Sequence, residues 1–202
     1  MEIDRDSGLL RGVRYVPSPH QDNRPEGTDV DLVVVHGISL PPGEFGGPWI
    51  ERLLLGRLPP EEHPFFATIR NPRVSAHLLI RRSGALVQYV PFHRRAWHAG
   101  ESSWKGREEC NDFSIGIELE GTDDLPYEGA QYRALAEAIA ALSTVWPAIT
   151  RDRVVGHADV APKRKTDPGP IFDWERLRNL LPHEVFPPPG LSRFRDSRTP
   201  SP

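Results

Sequence analysis

Apolar positions follow two different periods along this chain. Between Asp31 and His36 four consecutive apolar residues, Leu32 to Val35, read as a strand covered on both faces, since a strand exposed on one side would alternate. Phe113–Glu120 does alternate, with Ile115, Ile117 and Leu119 on one face and Ser114, Gly116, Glu118 and Glu120 on the other, which predicts a half-buried strand. Tyr132, Leu135, Ile139, Leu142 and Trp146 recur at helical spacing and predict a helix over Gln131–Trp146. His77–Ile80 and Leu86–Val90 flank a Ser83-Gly84 turn and read as a hairpin. Shorter elements complete the pattern: a helix opened by Gly47-Pro48-Trp49 and stopped at Gly56, a strand at Val154-Val155, and a helix over Trp174–Leu181 capped by Asp173. Strands interspersed with helices define an α/β or α+β single domain with a mixed sheet.

Periodic sequence is confined to the middle of the chain. Residues 1–28 are polar and turn-rich, with Pro17, Pro19, Pro25 and Gly27, and are expected to pack on or precede the domain at 29–184. Residues 185–202 are rich in Pro, Arg and Ser and are expected to stay loose, having little apolar surface to offset the entropy of ordering. The 202 residues suit one domain, and 38% hydrophobic with 26% charged residues suits a soluble one. A net charge of −3 gives no basic field for nucleic acid. No apolar run reaches membrane-spanning length, and the start has no basic region followed by an apolar stretch. The single cysteine, Cys110, cannot form an internal disulfide and reads as a buried thiol. A cytoplasmic protein is the expectation.

Candidate chemistry sits beside the strands. His36 closes the first apolar run, His157 closes Arg153-Val-Val-Gly-His157, and Asp167 follows in a Pro/Gly-rich loop. Two imidazoles and a carboxylate are three ligands of a Zn²⁺ site whose fourth position keeps a water for hydrolysis. Ordinary hydrogen-bonded histidines are the competing reading, because the three lie far apart and no compact HExxH or CxxC motif accompanies them. Glu118 on the polar face of its strand could serve such a water as general base, although alternation alone does not separate it from Glu120. Lys165, two residues before Asp167, could hold the charge of an oxyanion, against the plainer reading of a surface basic run.

Longer segments carry a family resemblance. His36-Gly-Ile-Ser-Leu-Pro-Pro-Gly-Glu-Phe-Gly-Gly-Pro48, Arg73-Val-Ser-Ala-His77, Tyr89-Val-Pro-Phe92, Arg95-Ala-Trp-His-Ala-Gly100, Cys110-Asn-Asp-Phe-Ser-Ile-Gly-Ile-Glu-Leu-Glu-Gly-Thr-Asp123 and Arg164-Lys-Thr-Asp-Pro-Gly-Pro-Ile-Phe-Asp-Trp174 resemble the cytoplasmic 1,6-anhydro-N-acetylmuramyl-L-alanine amidases of Gram-negative bacteria, from about Arg14 to Leu181. The resemblance implies the amidase-2 and peptidoglycan-recognition-protein fold. It implies Zn²⁺ on His36, His157 and Asp167, with Glu118 as acid/base and Lys165 as electrostatic partner. The implied reaction cuts the amide between the lactyl group of 1,6-anhydro-N-acetylmuramic acid and L-alanine in muropeptides, during peptidoglycan recycling. The implied partner is that small-molecule muropeptide, with no nucleic acid or membrane; the sequence does not give the oligomeric state, for which a monomer is the expectation. Trp97 is a candidate to stack on the anhydro-sugar, and Arg73 to pair with a stem-peptide carboxylate. His77 and His98 are read as structural or outer residues rather than ligands.

Two positions depart from the family pattern, and both are associated with the stem peptide: Gly37 replaces the usual Asn, and Glu109 the second Arg of Gly-Arg-Glu-Arg-Cys. A weaker dependence on the stem peptide is therefore expected. The alternatives are a non-catalytic peptidoglycan binder, which typically lacks part of the zinc set, an exported or phage-type amidase, and a structural zinc protein, which would want a fourth ligand.

Overall fold

The computed structural model describes residues 1–69 and 73–182, so the tail expected at 185–202 lies outside the described residues. At its centre is a six-stranded mixed sheet. In chain order its strands are β1 (Arg14–Tyr15), β2 (Leu32–Ile38), β3 (Leu78–Ile80), β4 (Leu86–Gln88), β5 (Ser114–Glu120) and β6 (Val154–Gly156), and in space they run β6-β2-β5-β3-β4-β1. The four strands β6, β2, β5 and β3 are parallel; β4 returns antiparallel to β3, and β1 adds parallel to β4 at the edge. Four helices accompany them among the described residues: α1 (Trp49–Leu54), α2 (Gly129–Val145), α3 (His157–Val160) and α4 (Trp174–Leu180).

The continuous apolar run of β2 has the expected cause, because both its faces are covered. Val33 and Val35 pack with Ile115, Ile117 and Leu119 of β5 and with Leu135, Ile139 and Leu142 of α2. Leu32 and Val34 face the other way, into a layer with Ala99, Cys110, Phe113, Val155 and Val160. A third cluster joins Ile50 and Leu54 of α1 to Leu79, Val87 and Tyr89. Each fully buried Leu or Ile contributes roughly 1.5–3 kcal/mol, so these layers hold the sheet between α2 on one side and α1 with long loops on the other. The helix and hairpin expectations hold: Gly84 supplies the left-handed turn residue at φ 85°, and Asp173 Oδ1 accepts the Arg176 N–H at 2.8 Å to cap α4.

Two local expectations are corrected. β5 is not half-buried: all seven of its residues are buried, because its polar face looks into an interior polar site instead of water. His157 does not end a strand; β6 stops at Gly156 and His157 is the first residue of α3.

The turn-rich first 28 residues contribute to the same packing. Ile3 and Leu10 join the main core, and the Leu10 N–H donates to Gln88 Oε1 at 2.8 Å. The half-buried Arg24 guanidinium donates to the carbonyls of Asn111, Asp112, Phe92 and Ser114 at 2.7–3.2 Å, tying this segment to the start of β5 and the residues before it.

Candidate active site

Parallel strands aim their C-terminal ends at one place, where ligands collect in open α/β sheets. Register puts Glu118 of β5 beside His36 of β2, and Gly156 of β6 beside Val35, so His157 follows at the level of His36. Adjacent positions in register project to the same face, so His36 and Glu118 emerge together on the side away from α2.

Asp167 is brought in by its loop. The Ala158 N–H of α3 donates to the Asp167 carbonyl at 3.0 Å, and the Tyr127 hydroxyl donates to the Pro168 carbonyl at 2.9 Å. Two glycines make room. A Cβ at Gly156 would stand 2.9 Å from Pro168 Cδ, and one at Gly37 would stand 2.3 Å from the Tyr127 hydroxyl. Gly37 thus lies under the tyrosine that holds the Asp167 loop.

Three electron-pair donors meet there. His36 Nδ1 and His157 Nδ1 are 2.9 Å apart, and Asp167 Oδ2 lies 3.2 and 3.1 Å from them. Burial holds the His36 imidazole down at about 4, so it is neutral near pH 7 and the contact with Asp167 is not an ion pair. His157 Nε2 is 3.1 Å from the Ala99 carbonyl, an acceptor only, so Nε2 carries a proton and donates it there. A carboxylate oxygen and two imidazole nitrogens converging at these distances form a ligand set that fits a cation. Tetrahedral Zn²⁺ with bonds of about 2.0–2.1 Å places ligand atoms roughly 3.3 Å apart, close to this triangle. The set His36, His157 and Asp167 is the group of residues suited to hold a metal among the described residues.

A cleft of about 330 Å³ opens over the triangle, walled by Ile38, Leu53, Leu54, Ile69, Val74 and Ser75 and floored by Glu118, Lys165 and the triangle itself. That is near the lower end for ligand clefts, enough for the reacting portion of a substrate. Glu118 is only 9% exposed, and its Oε2 has no hydrogen-bond partner. Burial first, and then the Asp167 charge, push the Glu118 carboxyl up to about 8, with Lys165 opposing. Lys165 has no ion-pair partner among the described residues, so its charge is directed at the cleft. These are the features of a proton-transfer group and a charge-stabilising group beside a cation position.

The other expected residues lie further out. Arg73 is exposed, next to Val74 on the cleft wall. Trp97 is half-buried and stacks on His20 at 5.8 Å between ring centres, and it does not line the cleft. Glu109 has left-handed backbone at φ 55° and lies on a separate surface hollow with Glu101, Lys163 and Arg164. His98, expected as a structural or outer residue, lies on the cleft wall with its Nδ1 3.0 Å from His36 Nε2. Its signal was Gly116: glycine inside a strand marks a close approach, and a Cβ there would lie 2.3 Å from His98 Cγ.

The C-terminal ends of the parallel strands thus gather three possible metal ligands, a buried carboxylate and a lysine without an ion-pair partner among the described residues. Comparison with known proteins narrows the class. Residues 26–170 match the amidase-2 family, described as N-acetylmuramoyl-L-alanine amidase. The chain is 60% identical over 180 residues, 89% of its length and 98% of the relative's, to the 1,6-anhydro-N-acetylmuramyl-L-alanine amidase AmpD of Escherichia coli K12. A crystal structure of an AmpD selenomethionine derivative superposes with a TM-score of 0.87 at 60% identity, covering 90% of this chain and 100% of that one. The E. coli amidase AmiD, solved with anhydro-N-acetylmuramic acid-L-Ala-D-γ-Glu-L-Lys, matches with a TM-score of 0.56 at 29% identity, over 78% of this chain and 60% of that one. This chain belongs to the N-acetylmuramoyl-L-alanine amidase family. Among its described residues no helix is long and apolar enough to cross a membrane.

Proposed function

We propose that this protein is a zinc-dependent amidase that hydrolyses the bond between the lactyl group of 1,6-anhydro-N-acetylmuramic acid and L-alanine in anhydromuropeptides, in cytoplasmic peptidoglycan recycling. The observation that carries the reading is the convergence of His36 Nδ1, His157 Nδ1 and Asp167 Oδ2 within 3.2 Å, in the cleft that also holds the unpartnered Glu118 oxygen. The likeness to AmpD over nearly its whole length supports the substrate class.

His36, His157 and Asp167 would hold the metal. Bound zinc supplies a Lewis acid and makes water a nucleophile near neutral pH. Glu118 takes the proton from the attacking water and delivers it to the departing L-alanine nitrogen, a two-way task for a cleft carboxylate whose Oε2 has no hydrogen-bond partner. Lys165 faces the negative charge that develops on the lactyl carbonyl oxygen. The apolar wall of Ile38, Leu53, Ile69 and Val74 keeps water from competing around these groups. Arg73, exposed at the rim, pairs with a carboxylate of the stem peptide.

Product identity tests the reaction. Anhydro-N-acetylmuramic acid carrying a stem peptide is incubated with the protein and resolved by mass spectrometry. Free anhydro-sugar and a peptide with a new L-alanine amino terminus are expected. Cleavage inside the peptide, or no cleavage of this compound while intact wall is degraded, sinks the proposal.

A further inference from the structure

Resting on the cation position proposed above, we infer that a strap, His98-Ala99, sets the tautomers of both ligand histidines and so commits both Nδ1 lone pairs to the metal. His98 and Ala99 are positioning residues in this account and act through the two ligand histidines.

The proton positions follow link by link. The Ser114 hydroxyl lies 2.5 Å from the Cys110 carbonyl, which can only accept, so the hydroxyl proton points there. Its oxygen is then free to accept from His98 Nε2, 3.2 Å away. A neutral His98 protonated on Nε2 has a bare Nδ1, and that atom faces His36 Nε2 at 3.0 Å. His36 must therefore carry its proton on Nε2, which leaves Nδ1 as the lone pair turned toward His157 and Asp167. The order Cys110 carbonyl, Ser114, His98, His36 has one self-consistent arrangement of hydrogens for neutral rings.

The same strap serves the second ligand. The carbonyl of Ala99 accepts from His157 Nε2 at 3.1 Å. Both links of the strap are fixed by one buried amide, since Asn111 Oδ1 accepts the His98 N–H at 3.0 Å and the Ala99 N–H at 2.8 Å. Gly116 completes the fit, because any Cβ there would occupy the space of the His98 ring. Outer partners of this kind fix ring orientation and tautomer, and their loss costs metal affinity about 10–100-fold.

Two readouts test the strap. Long-range ¹H–¹⁵N correlation spectra of the metal-free protein report which ring nitrogen of His36 is protonated. Zinc affinity is measured by competition with a chelator for the wild type, His98→Leu, His98→Asn and Ser114→Ala, with thermal melts of the metal-free forms to confirm folding. His36 and His157 are expected as Nε2–H tautomers. His98→Leu is expected to weaken zinc about 10–100-fold. His98→Asn, which can place a carbonyl oxygen near the lost Nδ1, is expected to recover most of that loss. Ser114→Ala, which folds most readily, is expected to mix the His36 tautomers and weaken zinc by a smaller factor. Wild-type zinc binding that all three variants match within twofold, or a His36 proton on Nδ1, overturns the strap. Failure of the wild type itself to bind zinc would overturn the cation position instead.

Discussion

Glu118 and Glu120 stand two residues apart on one face of one strand, both buried, and their surroundings are opposite. Glu120 is 2% exposed and its oxygens are occupied: Oε1 accepts from the Gly46 N–H at 2.7 Å and from Arg81 at 3.0 Å, and Oε2 accepts from the Arg82 N–H at 3.2 Å. Glu118 faces the cleft with Oε2 unpartnered and its carboxyl raised to about 8. A carboxylate whose lone pairs are filled by the fold has nothing left to offer a substrate. One left open costs the fold stability and stays free to exchange a proton with a substrate. Alternation along β5 identifies only the face, and the family resemblance alone singles out Glu118; the different partners of the two side chains support that proposed role.

The largest expected difference is catalytic. Glu118→Gln should lower kcat by roughly 10²–10⁴-fold with zinc content and a cooperative fold retained. Glu120→Gln should leave kcat of the folded enzyme within a few-fold, as read by steady-state turnover of anhydromuropeptide. Equal losses for the two would erase the comparison. Lys165→Met comes next, with a loss of about 10²-fold in kcat and little change in KM, the pattern for a group that acts on developing charge.

Stability should show the reverse order. Glu120→Gln strips a buried carboxylate from Arg81 and should cost about 2–3 kcal/mol in urea unfolding, below the full penalty for a broken buried pair because Arg81 keeps some solvent contact. Glu118→Gln in the metal-free protein should do the opposite, increasingly as pH rises above 4.5. Its folded pKa of about 8 lies above the ordinary value of 4.5, so the folded state binds the extra proton between them. The wild type therefore has this stability below pH 4.5 and loses it as pH rises through 8. The variant should match the wild type at pH 4.5 and exceed it at pH 9 by on the order of a few kcal/mol. A pH-independent difference would show that Glu118 is not the strained group. The smallest effect concerns the loop behind the site: Gly37→Ala pushes a Cβ against the Tyr127 hydroxyl and should cost about 1–3 kcal/mol, with weaker zinc retention in dialysis if that tyrosine holds Asp167 in place.

Much of the architecture was legible in the chain. The four-residue run of β2, the helical spacing from Tyr132 to Leu142 and the Ser83-Gly84 turn depend on neighbours in sequence, and they emerge as read. The polar face of β5 did not, because alternation has the same form whether the polar side meets water or an interior site. His157 was misplaced by one element because the Val154-Val155 strand stops at Gly156, where the Asp159 carboxylate accepts the Gly156 N–H at 2.7 Å and the chain turns into α3. His36, His157 and Asp167 could be named from the sequence as candidates, but their distances depend on strand register and on the loop held by Ala158 and Tyr127. The strap around His98 was least legible, since it needs residues 98, 111 and 114 brought against residue 36, and only Gly116 hinted at the approach.

The central claim is that one cation held by His36, His157 and Asp167 supports the amide cleavage that Glu118 completes. Metal-stripped protein can be titrated with Zn²⁺ while release of anhydro-N-acetylmuramic acid from anhydromuropeptide is followed. The account predicts no turnover without metal, a linear rise to a plateau at one zinc per chain, and no such plateau for Asp167→Ala. Full turnover in the metal-stripped protein, or an undiminished plateau in Asp167→Ala, contradicts it.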